Sequence, residues 1–496
     1  MTLPIILLYV GIASIILSLI TVIGFKTKKN WITTFFQNYV GAFFIFSGWV
    51  KAVDPLGLAY KMEQYFAEFE ATFADTWVSF LAPIFPFLSS MAVQFAVVMI
   101  VFEIILGIML IIGAKPKFTS WAFLLLVAFF TFLTGFTYLT GYVPNGSNFF
   151  DFGSWAAYNK NNMRVTDCGC FGDFLKLEPK VSFFKDVILL IPAFYFIYKH
   201  KSFHTWFSPK VRTIILSASL IGLVIYCLGN YVTDIPTHDF RPFKKGADIA
   251  SQKQAETDAQ AGVQVLGFKL ENKNSGDKLD VGYKDYLANL ANYPSDEWSV
   301  TDQILGEPTI PLTKISDFDI SDSEGHPVTD EILTMQGPYI MLVCHKLIGT
   351  GSNATRVIED TIFVIDTVYN NAFKGGFALE KNVKRIDKKT VNYTNYIWKD
   401  HYAKRFEEVI KPFVAAASEE GVKTIAVIGG ADRSMIEDFA TDLELDIDYY
   451  TADDILLKTI VRSNPGIVLW EGGKILDKWH YKKLPNFQNV KKQHIE

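Results

Sequence analysis

The chain has 496 residues, 50% of them hydrophobic and 20% charged, with a formal net charge of −5. No strongly basic patch or nucleic-acid-binding motif occurs, which sets DNA and RNA aside as partners, and four cysteines are too few for a disulfide-stapled scaffold. Up to Thr233, 16 Lys and Arg stand against 11 Asp and Glu, a balance of +5 that leaves −10 for the remainder, so a basic apolar half precedes an acidic polar one.

Residues 2–25 form an apolar run long enough to cross a bilayer. The run lacks a basic n-region and a small-residue cleavage pattern, so it reads as a retained helix and not a signal peptide. Further spans are predicted at 36–53, 91–113, 118–141, 183–198 and 212–232, giving six crossings. The loops holding Lys26, Lys28 and Lys29, then Lys115 and Lys117, then Lys199, Lys201, Lys210 and Arg212 carry nine basic residues and no acid. By the positive-inside rule these are cytoplasmic, which places loops 54–90 and 142–182 and everything after Thr233 outside. Within the spans, Glu103 is expected to be neutral, paired or facing a cavity, because a lone carboxylate is costly there. It reads either as a proton acceptor or quinone-pocket residue, or as a protonated acid bonded to a neighbouring helix. Gln94 is expected to share its surroundings. Lys51 reads either as an interfacial snorkelling lysine or as a catalytic one, and Asp186, beside Lys185, as a structural pair or interface anchor. Gly107, Gly113, Gly135 and Gly141 suit close helix packing.

Loop 142–182 carries the feature around which the rest is arranged, Cys168-Gly169-Cys170. A bridge across one glycine forms only with strain in a very small ring, and strained, exposed disulfides tend to be the labile or catalytic ones. An outward loop is where disulfides persist. Asp167 and Asp173 flank the pair and raise the thiol pKa unless Arg164 or Lys176 offsets them. Cys168 and Cys170 are therefore suited to hold an oxidising disulfide, or to be attacked by a partner's thiol. The structural alternative is a bridge that pins the loop, although so short a ring adds little stability of the chain-entropy kind. No metal site is expected: two thiolates would need further ligands, and His200 and His204 fall on the other side of the membrane. Cys227, near the outer end of the last span, reads as a buried apolar thiol, or as one that reaches the Cys168 loop if the helices are adjacent.

The run RVTDCGCFGDFLKLEP followed by SFFKDVILL, with FIFSGWVKAVDPLGLAYKMEQYF earlier and DFRPFKKG at 239–246, resembles the DoxX/MauE redox-associated membrane proteins, in their long Bacteroidetes-type form. The resemblance implies a four-helix membrane unit made of the second to fifth spans, with one extra helix on each side. It also implies a bacterial inner-membrane location and thiol-disulfide chemistry or quinone-linked sulfur oxidation.

The second half begins with a polar segment at 244–263, read as linker or surface helix, and a β-hairpin within 264–310. Beyond 311, strands at 339–345, 423–428 and 446–450 alternate with helices at 398–419, 432–442 and 453–461, which predicts a parallel sheet closed by two antiparallel strands. That order resembles the thioredoxin fold, with Pro465 as candidate for its cis-proline and partner-facing edge. No CxxC follows the first strand. Only Cys344, beside His345, stands there, and it reads either as a core thiol or as a redox partner of Cys170. About fifty residues, 346–397, intervene where a thioredoxin has its catalytic turn.

The expected organisation is thus a six-span α-helical membrane bundle over 1–233, a linker and small β module over 234–310, and a periplasmic α/β thioredoxin-like domain over 311–496. Three functions are expected. The first is thiol-disulfide exchange with periplasmic proteins through Cys168 and Cys170, re-oxidised by a quinone near Glu103. The second is a non-enzymatic membrane scaffold or assembly factor that docks other proteins. The third, from the resemblance alone, is a subunit of a quinone-linked sulfur-compound oxidoreductase, working in the lipid with other membrane subunits.

Overall fold

Uniformly apolar runs have no polar face to offer water, and in the computed structural model of the chain they become helices of bilayer-spanning length. Residues 2–27, 30–165, 169–370 and 376–496 are described, and they divide into two units, Met1–Lys244 and Lys245–Glu496. The first unit holds α1 (Leu3–Leu19, continued by a π turn to Gly24), α2 (Trp31–Val53), α3 (Pro55–Ala74), α4 (Ile84–Ser90), α5 (Ala92–Ile112), α6 (Pro116–Thr140), α7 (Pro179–Lys199) and α8 (Pro209–Leu228). Among the described residues, five helices are long and apolar enough to cross a membrane, or six if the bent pair α2 and α3 counts as one span. Leu8, Ile23, Ile188, Ile191, Ile214 and Ile225 are each more than 60% exposed along α1, α7 and α8. Such faces suit lipid and not water, and they make this a multi-pass helical membrane unit.

The segment 54–90 is not the loop expected from its charges. Pro55 cannot donate to α2, Asp54 caps the next helix by accepting from Gly57 N at 3.2 Å, and α3 departs at 92°. Leu58, Met62, Tyr65, Phe66 and Phe69 form the buried stripe of α3, while Glu63, Glu68 and Glu70 lie outside that stripe. Gly107 packs closely, as expected: a Cβ there would meet Gly41 O at 2.7 Å, so α2 and α5 touch backbone to backbone. Gly113, at φ +64°, ends α5 where the His204 carbonyl leaves no room for a side chain.

The second unit opens with α9 (Ile249–Ala261), then β1 (Val265–Asn272), β2 (Lys278–Gly282), α10 (Tyr283–Ala288) and β3 (Trp298–Leu305). The expected hairpin β1–β2 gains β3 on its other side, giving an antiparallel sheet of order β2-β1-β3. There follow β4 (Ile320–Ser321), α11 (Thr329–Leu333), β5 (Pro338–Cys344), β6 (Gly349–Asn370), β7 (Gly376–Trp398), α12 (Asp400–Arg405), α13 (Lys411–Glu419), β8 (Lys423–Gly429), α14 (Arg433–Leu443), β9 (Asp448–Ala452), α15 (Asp454–Ile460), β10 (Gly466–Glu471), β11 (Lys474–His480) and α16 (Phe487–His494).

The main sheet runs β11-β10-β5-β8-β9-β4. Among the described residues, β5 with β8 and β8 with β9 pair parallel, each joined through helices as a parallel crossover requires, while β10 pairs antiparallel with both β5 and β11, and β4 with β9. The three parallel strands and the closing antiparallel pair are those expected; the short β4, paired with β9, is the strand added at the far edge. The Asn464–Pro465 bond is cis. The excursion after β5 is a two-stranded ribbon, β6 with β7, paired only with itself over 22 and 23 residues.

Candidate functional site

Three charged side chains, Lys51, Glu103 and Asp186, are buried together in the helical unit, with Lys185 partly buried beside them. Lys51 is 3% exposed near the end of α2, and its Nζ lies 2.9 and 2.7 Å from the two carboxylate oxygens of Glu103 on α5, itself 2% exposed. Lys51 also donates to Ser47 Oγ at 3.1 Å and sits 5.1 Å from the centre of the Phe130 ring. On α7, Lys185 pairs with its neighbour Asp186, which is 1% exposed and accepts from Thr134 Oγ1 at 3.0 Å. Both pairs line one cavity of about 30 Å³, walled by Phe43, Phe44, Met62 and Leu133 and closed on one side by Gly169 and Cys170. That volume holds two or three waters, at roughly 10–15 Å³ each. It has no room for a quinone ring as it stands.

Lys51 thus does not snorkel to the interface. A cation near the end of an apolar span and an acid in the middle of another pair when the bend at Asp54 and the close α2–α5 contact bring them level. The signal was present, since intramembrane ionisable residues pair with one another. Asp186 likewise turns inward. Gln94 is exposed and lies outside this cavity.

The cysteine loop is held over the cavity by its own backbone and by aromatic contacts. Ser47 Oγ donates to Cys170 O at 3.2 Å. Phe171, fully buried, meets Phe43 edge-on at 5.8 Å, and Phe174 packs between Phe46 (5.8 Å) and Phe240 (5.0 Å). Arg241, 2% exposed, grips Asp239 through Nε at 2.7 Å and Nη2 at 3.1 Å, in a cleft shared with Asp54, Gly172 and Asp173. The separate stretches around 45–55, 169–176 and 239–243 therefore meet in space.

Cys170 is half-buried, with a free thiol. Burial pushes that thiol up; Lys185 and Lys51 act against the shift and Asp186 adds to it. The direction is the one expected from Asp167 and Asp173, but the largest cause is burial. Arg164 and Lys176 do not offset it: Arg164 is spent on Ser147 O (2.6 Å) and Glu68 (3.7 Å), and Lys176 approaches Asp173 at 4.0 Å. Cys168 and Asp167 lie outside the described residues. Cys227 is buried in a different cluster, with Leu223 and Val224 of its own helix and Phe66 and Ala96.

In the second unit Cys344 is 1% exposed, and burial pushes its thiol to about 12, so it is a core thiol without the access that exchange requires. Beside it, burial holds His345 down to about 3, aided by Lys458 and Arg462. Asn464, preceding Pro465, is tied to Lys346 O at 2.6 Å, so this edge is braced against the end of β5. Among the described residues, no group of three His, Cys, Asp or Glu side chains could hold a metal ion.

Buried uncharged histidines make the fold acid-sensitive. His480, 3% exposed, is held to about 4 by burial, and His204, fully buried, likewise to about 4. A folded pKa below the unfolded value of about 6.5 means that the unfolded chain binds more protons between the two. The stabilisation is complete above pH 6.5 and is lost as pH falls through about 4. For His480 this amounts to about 2–3 kcal/mol. A thermal midpoint measured from pH 7.5 to 4.5 should fall, and should fall less in His480→Asn, whose amide can still accept the 3.1 Å bond from Lys482 N. An equal fall in that variant would assign the loss elsewhere.

Comparison with models of protein families, with curated proteins and with solved structures finds no match. Fold and site define a class: a multi-pass helical membrane protein in which a cysteine-bearing loop caps a buried cluster of paired charges, followed by a mixed-sheet unit.

Proposed function

We propose that the chain is a membrane-bound thiol-disulfide redox protein of DoxX/MauE type that acts through Cys168 and Cys170 on proteins outside the bacterial inner membrane. The observation that carries this reading is the placement of Cys170: half-buried, fixed by Ser47 and Phe171, and directly over paired charges that a membrane protein keeps only at a cost. A partner thiolate attacks one sulfur of the Cys168–Cys170 disulfide. The S–S bond breaks, a mixed disulfide forms, and the other cysteine leaves as thiolate and takes a proton. A second partner thiol resolves the mixed disulfide, so the partner is oxidised by two electrons and the pair is reduced. The sheet unit, whose helix-linked β5, β8 and β9 carry β10 and β11 at one edge, is read as a thioredoxin-like domain that binds partners without chemistry of its own, in keeping with its inert Cys344.

Alkylation followed by mass measurement tests this. Cys168 and Cys170 should change state together as the glutathione ratio is varied, and Cys170→Ala should trap mixed disulfides through Cys168. A pair that stays in one state at every ratio would favour the scaffold reading. The exposed apolar residues Val357, Phe363, Ile365, Val383 and Ile386 on the β6–β7 ribbon are the observation that keeps that reading alive.

A further inference from the structure

We propose that Glu103 and Asp186 are positioning residues that keep Cys170 protonated: each neutralises the lysine that would otherwise stabilise a thiolate, so reduction of the cysteine pair takes up two protons. The inference rests on the redox reading above and adds to it which groups set the proton count.

Lysines beside a cysteine ordinarily favour the thiolate and make it an attacking group. Here neither ammonium is available for that. Lys51 is held by both oxygens of Glu103, and Lys185 is held by Asp186, so the four charges sum to zero. A thiolate on Cys170 would be a fifth charge, without a counter-ion, beside a cavity walled largely by Phe, Leu, Met and Val. Among the described residues, the groups facing Cys170 are few. From α2 come Lys51 and Ser47, from α5 Glu103, from α6 the non-titrating Thr134, and from α7 Lys185, Asp186 and Ser182. Lys61 of α3 runs past Gly169 and donates to Gln64 Oε1 at 2.9 Å, and the loop itself adds Asp173 with Lys176. The raised thiol of Cys170 agrees with this balance. In exchange, Cys170 is then a poor attacking group, and when the S–S bond breaks its sulfur has to take up a proton instead of resting as a thiolate.

The test uses the full chain in lipid or detergent, with the oxidised-to-reduced ratio of the pair read by alkylation at a fixed ratio of reduced to oxidised glutathione, between about pH 6 and 8. In the wild type both couples take up two protons, so the ratio should be flat. In E103Q or D186N an unpaired ammonium faces the sulfur, and the pair should shift towards reduced by up to about tenfold per pH unit as one proton is no longer taken up. The neutral double variant K51M/E103Q should return to the flat line. Variants as flat as the wild type, or a sloping wild type, would overturn the proposal. Should E103Q not fold, D186N carries the test, since it keeps both contacts between Lys51 and Glu103. A wild-type pair that ignores glutathione sinks the redox reading instead. In that case the pH profile of Cys170 alkylation in the reduced protein still decides whether these carboxylates control its proton, by moving or not moving in D186N.

Discussion

Lys51→Ala should destabilise the helical unit by about 3–5 kcal/mol, the range for breaking one side of a buried ion pair. The reason is what the substitution leaves behind. Glu103 is 2% exposed, and its carboxylate would lose both contacts with Nζ and face Phe130, Val127 and Leu133 across a water-sized cavity. It must then remain charged without a counter-ion or take up a proton, and both cost stability. Lys51→Met combined with Glu103→Leu removes the whole pair and should recover most of the loss, because well-packed apolar replacements of buried pairs are often neutral. Lys160→Ala, which breaks a pair 65% and 64% exposed, should cost less than about 1 kcal/mol. The measurement is the unfolding midpoint of the helical signal for detergent-solubilised protein. Equal effects of Lys51→Ala and Lys160→Ala would show that the buried pair is no more than a crystal-like contact of two side chains.

Glu256→Ala should cost the second unit about 3–5 kcal/mol as well, by a different route. Glu256 on α9 is fully buried, and its carboxylate accepts four hydrogen bonds: from Thr313 N and Ser316 N at 3.0 Å each on one oxygen, and from Thr313 Oγ1 at 2.7 Å and Gln252 Nε2 at 2.9 Å on the other. Bonds to a charged acceptor contribute about 1.5–3 kcal/mol each, and donors left buried without a partner add their desolvation cost. Glu256→Gln keeps one accepting oxygen and should lose roughly half as much. Denaturant unfolding of the full chain, followed on a probe in the sheet unit, should show a lower midpoint at unchanged slope. An unshifted midpoint would mean that α9 does not hold the 313–316 turn.

Glu256 also shows where sequence reading stops. It lies in the polar segment 244–263, read as linker or surface helix because its composition has no apolar periodicity. Ile249 and Glu256 are nonetheless fully buried, and Ile249 N bonds Gly473 O at 2.9 Å, fixing the helix beside β11. A carboxylate that organises a turn sixty residues away leaves no local trace. The β6–β7 ribbon was hidden for a related reason: long exposed strands that pair only with each other need no regular apolar alternation, so the excursion had no pattern to read.

What the residues determined by themselves was whatever depends on local composition and period. The spans followed from runs of apolar side chains with no polar face, the helix-linked strands and the closing pair from short β-branched stretches between turns, and the weight of the CGC loop from two thiols one residue apart. What only the tertiary structure decided was which charges meet. Lys51, Glu103, Lys185 and Asp186 come from three helices, and their pairing depends on the bend at Asp54, on glycines that let α2 and α5 touch, and on a loop folded back over the cavity. Coulomb attraction between buried groups acts through space over a few ångströms, and distance along the chain is no guide to it.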